Sequence, residues 1–77
     1  MTKTLKEYSP GEKGTVKRVS ADGKLKRRIF DMGITPGAEI IMRKAAPLGD
    51  PIEITVRGYQ LSLRKSEAET VLMEQRA

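Results

Sequence analysis

The stretch RRIFDMGITPGAEI, residues 27–40, decides how this chain is read. A short amphipathic run meets a glycine, then a proline–glycine pair one turn later, and then residues of strand character. Leu25, Ile29 and Met32 fall at i, i+4 and i+7, one face of a helix, while Lys24, Arg27, Arg28 and Asp31 take the other side. Asp22, in the loop Ala21–Gly23, precedes the run as a candidate N-cap. Gly33 fits the left-handed position just past a helix end, where a Cβ is penalised, and Ile34 falls where a chain folds back on the last helical turn. Thr35–Ala38, with Pro36 and Gly37 at its centre, carries the type II turn signature. The pattern predicts a helix over Lys24–Met32 and then a strand with Ala38, Ile40 and Met42 on one face. Two turns of helix do not stand alone in water, because nucleation costs too much. The Leu25–Ile29–Met32 face therefore needs a sheet to pack on.

Outward from that corner, glycines and prolines punctuate short strands. Ser9–Gly14 is a turn cluster, and Thr15–Ser20, with Val16 and Val19, reads as a strand. Pro47–Pro51 is a second turn cluster, in which Asp50 before proline favours the turn. Ile52–Arg57 alternates cleanly and connects tightly at Gly58 to Tyr59–Arg64, a hairpin. Ser66–Glu69 has the spacing of a capping box for a single helical turn, and Thr70–Gln75 closes the chain as a strand with Val71 and Met73 in phase. Several short strands with one short helix predict an all-β fold, a small closed or half-open barrel, since closure removes exposed edges.

Composition narrows the chemistry. Seventy-seven residues make one domain, taken as 1–77 with its core over about 5–73. With one Phe, two Tyr and no Trp, aliphatic side chains must build the core. The absence of histidine and cysteine excludes Ser–His and Cys–His nucleophiles and any imidazole or thiolate metal site. Glu39, Asp50, Glu53, Glu67 and Glu69 are the oxygen ligands left, and ferrous sites want imidazole beside carboxylate. No catalytic residue, metal site or cofactor is read from the sequence. The N-terminal residues are too polar for a signal peptide, and no apolar run approaches the ~20 residues that span a bilayer, so a soluble cytoplasmic protein is expected.

The net charge of +5 is uneven. Residues 1–30 hold nine Lys/Arg against three acids, whereas residues 31–77 hold six against seven. A basic front suits an acidic partner, nucleic acid or an anionic membrane surface, or is simply a solvated face.

The ordered set Gly14, Val16, Leu25, Arg28, Ile29, Met32, Gly33, Ile34, Pro36, Gly37, then Pro47, Gly49, Asp50, Pro51, then Ile54, Val56, Gly58, Leu61, Ser62, Leu63, Arg64, Glu67 and Ala68 resembles the FeoA family of bacterial ferrous iron transport. The likeness runs from about Leu5 to Met73. Tyr8 departs from it, standing where an aliphatic residue is usual, and Leu61 stands where isoleucine is common. The resemblance implies an SH3-like β-barrel with an inserted helix. It also implies an accessory, non-enzymatic role beside the FeoB permease, a membrane protein with a cytosolic G domain. On that reading Lys17, Arg18, Lys24, Lys26, Arg27, Arg28 and Phe30 are the partner-binding residues, touching the G domain or the inner face of the membrane. Phe30 reads first as the edge of the core and second as an interface anchor. Gly33, Pro36, Gly37, Asp50 and Gly58 are structural turn residues. An arginine finger at Arg27 or Arg28 is a further option, though nothing singles either out. Edge strands leave a homodimer open. The alternative is a small basic barrel that binds nucleic acid. It is disfavoured because Tyr8, Phe30 and Tyr59 are scattered rather than interleaved with the basic residues.

Overall fold

In the computed structural model, which describes residues 2–75, alternation of buried and exposed residues builds a six-stranded sheet. In chain order the elements are β1 (Thr2–Thr4), a 3-10 turn (Leu5–Glu7), β2 (Lys13–Val19), α1 (Gly23–Asp31), β3 (Glu39–Ala45), β4 (Ile52–Val56), β5 (Tyr59–Leu63), α2 (Lys65–Ala68) and β6 (Val71–Gln75). The strand order is β1-β6-β2-β3-β4-β5, with every neighbouring pair antiparallel. The sheet and α1 enclose one core, built mainly of aliphatic side chains, among them Leu5, Ile29, Ile34, Ile40, Ile54, Leu63, Val71 and Met73. This is an all-β, SH3-like architecture with the short helix α1 inserted between β2 and β3 and the single turn α2 between β5 and β6.

α1 docks by Ile29, which is fully buried, with Leu25, Phe30 and Met32 partly buried around it. Burial of a side chain of this size contributes about 2 kcal/mol. The helix exit is a Schellman motif. Gly33 N–H donates to the Phe30 carbonyl (2.9 Å) and Ile34 N–H to the Ile29 carbonyl (3.3 Å), with Gly33 at φ 90°. Ile34 and Ile29 are both fully buried, as the apolar contact of that motif requires. The turn after it closes with Ala38 N–H donating to Thr35 (2.9 Å). It is stitched to β2 by Gly37 N–H to the Val16 carbonyl (2.8 Å) and Val16 N–H to the Ala38 carbonyl (2.9 Å).

Four local expectations change. β2 begins at Lys13, earlier than Thr15, because Gly14 carries no side chain and the chain can pass close under Tyr8 and β6 there. β1 and the 3-10 turn were not expected: TKT is too short and polar to signal a strand, and it forms by pairing with β6. Asp22 holds the N-cap position of α1 in an extended conformation, yet its side chain makes no capping bond. α2 starts at Lys65 rather than after Ser66; Glu67, not Glu69, reaches back, accepting from Arg64 N–H (2.9 Å).

Candidate partner-binding surface

The basic residues lie on two elements. Lys24, Arg27 and Arg28 project from the exposed side of α1, and Lys17 and Arg18 from β2. Adjacent strand residues normally point to opposite faces, but here Lys17 and Arg18 are both exposed. The cause is a bulge: the register with β6 steps from Val16↔Met73 to Arg18↔Leu72, leaving Lys17 as the extra residue. Lys17 lies 4.0 Å from Glu74. Lys24 and Arg27 make no ion pair with a described residue.

Arg28 differs from its neighbours. Its guanidinium lies 3.5 Å from the Glu67 carboxylate, whose side chain is only 7% exposed. One arginine of the basic face thus anchors α1 to α2, and a charge there has a buried partner to satisfy. Phe30 is half-buried against the core with the Lys26 ammonium 5.7 Å from its ring centroid, so it sits at the rim rather than standing free. The other aromatics are committed too: Tyr8 is in the core, and the Tyr59 hydroxyl donates to the Met32 carbonyl (2.9 Å).

The remote hairpin supplies what sequence reasoning missed. Arg57 and Gly58 form its tip with φ of 51° and 87°, a two-residue turn. From there Arg57 reaches the helix exit, donating from Nε to the Gly33 carbonyl (3.1 Å) and from Nη2 to Thr35 Oγ1 (2.8 Å). With Tyr59 it caps the carbonyl end of α1, where the helix dipole favours a cation. Positive φ at a non-glycine residue has no sequence signal. In the second turn cluster Asp50 does more than turn the chain: its Oδ1 accepts from Lys65 N–H (2.8 Å), fixing the start of α2. Among the described residues no group of three or more acidic side chains gathers as a metal centre, and no helix is long and apolar enough to cross a membrane.

Sheet order and the inserted helix define a small SH3-like domain with a basic helix face. The chain belongs to the FeoA family: the FeoA domain model matches residues 3–75. It is 33% identical over 70 residues to a Porphyromonas gingivalis protein in which Fe(2+) transport protein A is fused to the Fe(2+) transporter FeoB. That match takes in 91% of this chain and 8% of the relative's length. A FeoA-like protein from Clostridium acetobutylicum superposes with a TM-score of 0.90 at 44% identity, over 96% of this chain and 86% of that one. The FeoA of Stenotrophomonas maltophilia, solved with zinc and described as a prokaryotic SH3 domain protein, gives 0.81 at 29% identity, over 92% and 88%. The family serves ferrous iron transport as a small accessory domain.

Proposed function

We propose that this chain is a non-enzymatic binding and regulatory module for a FeoB-type ferrous iron permease, acting in the cytoplasm at the inner face of the membrane. The observation that carries the reading is the outer face of α1, where Lys24 and Arg27 present cations with no ion-pair partner among the described residues. Lys17 and Arg18, raised by the bulge, extend the basic surface on β2, and Phe30 flanks it. Uncommitted surface cations of one sign steer an acidic partner and raise the encounter rate. Fusion of the two proteins into one polypeptide in a relative supports the choice of partner.

The test is capture of the permease from detergent-solubilised membranes by the tagged protein. Charge reversal at Lys24 and Arg27 together leaves the Arg28–Glu67 pair intact and should cut capture about tenfold, with the residual binding less sensitive to salt. Full capture by a folded Lys24→Glu/Arg27→Glu variant removes α1 from the interface. A parallel Lys17→Glu/Arg18→Glu variant reports on β2 separately.

A further inference from the structure

A second surface adjoins the basic side of α1 at Arg28 and extends from there to β5 and α2. A cleft of about 310 Å³ is lined by Arg28 of α1, Asp50 and Pro51 of the β3–β4 loop, Ser62 and Leu63 of β5, and Arg64 and Glu67 around α2. Both of its acids are held by protein groups, Glu67 by an arginine and Asp50 by a backbone amide. Asp50 accepts from Lys65 N–H (2.8 Å), and Glu67 accepts from Arg64 N–H (2.9 Å) and pairs with Arg28 (3.5 Å). The Arg64 guanidinium has no ion-pair partner among the described residues and is exposed. The lining charges balance, two arginines against two acids, but Arg28 has Glu67 as its carboxylate while Arg64 has none among the described residues, so Arg64 is the cation left to receive an anionic group.

The cleft also abuts a free sheet edge. β5 ends the strand order and pairs with β4 alone. A two-residue turn makes Val56↔Tyr59 the closing hydrogen-bonded pair, so Ile54↔Leu61 and Ile52↔Leu63 are the next ones inward. The backbone N–H and C=O groups of Gln60 and Ser62 then point away from β4, at exposed positions, and Ser62 is itself a lining residue of the cleft. Outward strand groups of this kind are a template for an added strand.

We propose that the β5 edge and this cleft together receive an extended acidic peptide segment of a partner protein. The segment pairs with the outward backbone of Gln60 and Ser62 and sets a carboxylate side chain against Arg64, with Arg28 beside it. An Arg–carboxylate contact supplies direction and selectivity that a surface lysine does not. The inference does not rest on docking through α1, because Arg64 and Ser62 are remote in sequence from Lys24 and Arg27 and are altered independently.

The probe is the capped tripeptide acetyl-Val-Glu-Val-amide, titrated into the 15N-labelled protein, with acetyl-Val-Gln-Val-amide and sodium acetate as controls. The expected result is saturable amide shifts over residues 60–64, with the Glu peptide binding about tenfold more tightly than the Gln peptide, the worth of one charge-assisted contact. Arg64→Gln should erase that preference. Ser62→Pro removes an outward N–H, which an edge strand tolerates, and should weaken both peptides. If Ser62→Pro fails to fold, the exposed Arg64→Gln variant still decides. Equal affinity for the two peptides, a preference retained in Arg64→Gln, undiminished binding to a folded Ser62→Pro, shifts confined to Lys24–Arg27, or the same shifts from acetate at equal concentration would each overturn the proposal.

Discussion

Tyr8 and Gly14 are one packing unit. Tyr8 is 5% exposed, with the Lys3 ammonium 5.0 Å from its ring centroid, and its hydroxyl meets no hydrogen-bond partner among the described residues. Burial, with the nearby Glu12 and Glu74 charges, pushes its phenol pKa up. The space the ring fills exists because residue 14 has no side chain: a Cβ there would meet the Tyr8 hydroxyl and come within 2.8 Å of the Glu74 carbonyl. The aromatic ring at position 8 is thus accommodated by a glycine six positions on. A buried hydroxyl left unpaired costs about 1–3 kcal/mol, so Tyr8→Phe should be neutral or stabilising by up to ~1 kcal/mol in urea denaturation. Gly14→Ala should destabilise by about 1–3 kcal/mol through overpacking. Adding Tyr8→Phe should recover only part of that loss, because the backbone carbonyl of Glu74 cannot yield as a side chain does. Full recovery in the double variant would place the whole conflict on the tyrosine oxygen.

At the level of elements, the helix corner is held from outside. Arg57 and Tyr59 satisfy the Gly33 and Met32 carbonyls across 24 and 27 residues of sequence, and Arg57 does so from a backbone at φ 51°. Conformations of this sort persist where surrounding contacts over-determine them. Arg57→Ala keeps the left-handed backbone and loses both hydrogen bonds, and should lower stability by about 1 kcal/mol, with hydrogen exchange quickening first at Gly33 and Ile34. Unchanged protection there would mean that the Schellman bonds need no support. The corner itself was legible, because Gly33, Pro36–Gly37 and the Leu25–Ile29–Met32 spacing act through local backbone rules. So were β4 and β5, whose alternation is strict. β1 was not, since three polar residues become a strand only when β6 offers a ladder. Nor was the reach of Arg57 or the burial of Glu67. Ser66 is the better capping residue by type, but α2 takes its register from Asp50, bonded to the backbone of Lys65 from 15 residues away. The basic residues of the candidate surface were legible as a list. Their separation onto β2 and α1, and the engagement of Arg28 by Glu67, depend on a bulge and a long-range contact with no local signature.

For the molecule as a whole, Glu12 ties distant parts of the chain together. Its carboxylate accepts from Ser9 N–H in the turn, from Gln75 at the end of β6 and from the Lys3 ammonium of β1 (3.2 Å). These bonds, the Ser9 amide first and then Gln75 and Lys3, hold its pKa below the ordinary 4.5. A group with a depressed folded pKa takes up its proton at higher pH in the unfolded chain than in the folded one. Its contribution is therefore complete above 4.5 and drains away as pH falls through the lower folded value. A chain of this size has little core to spare, so the loss should be felt as global acid sensitivity, not as local fraying. Urea midpoints at neutral pH and at about pH 3 test this in the parent and in Glu12→Gln. The variant should be less stable at neutral pH and lose less on acidification, so that the two proteins converge in acid. Parallel acid profiles would move the sensitivity to another carboxylate and leave Glu12 as a hydrogen-bond acceptor whose charge is not felt by the fold.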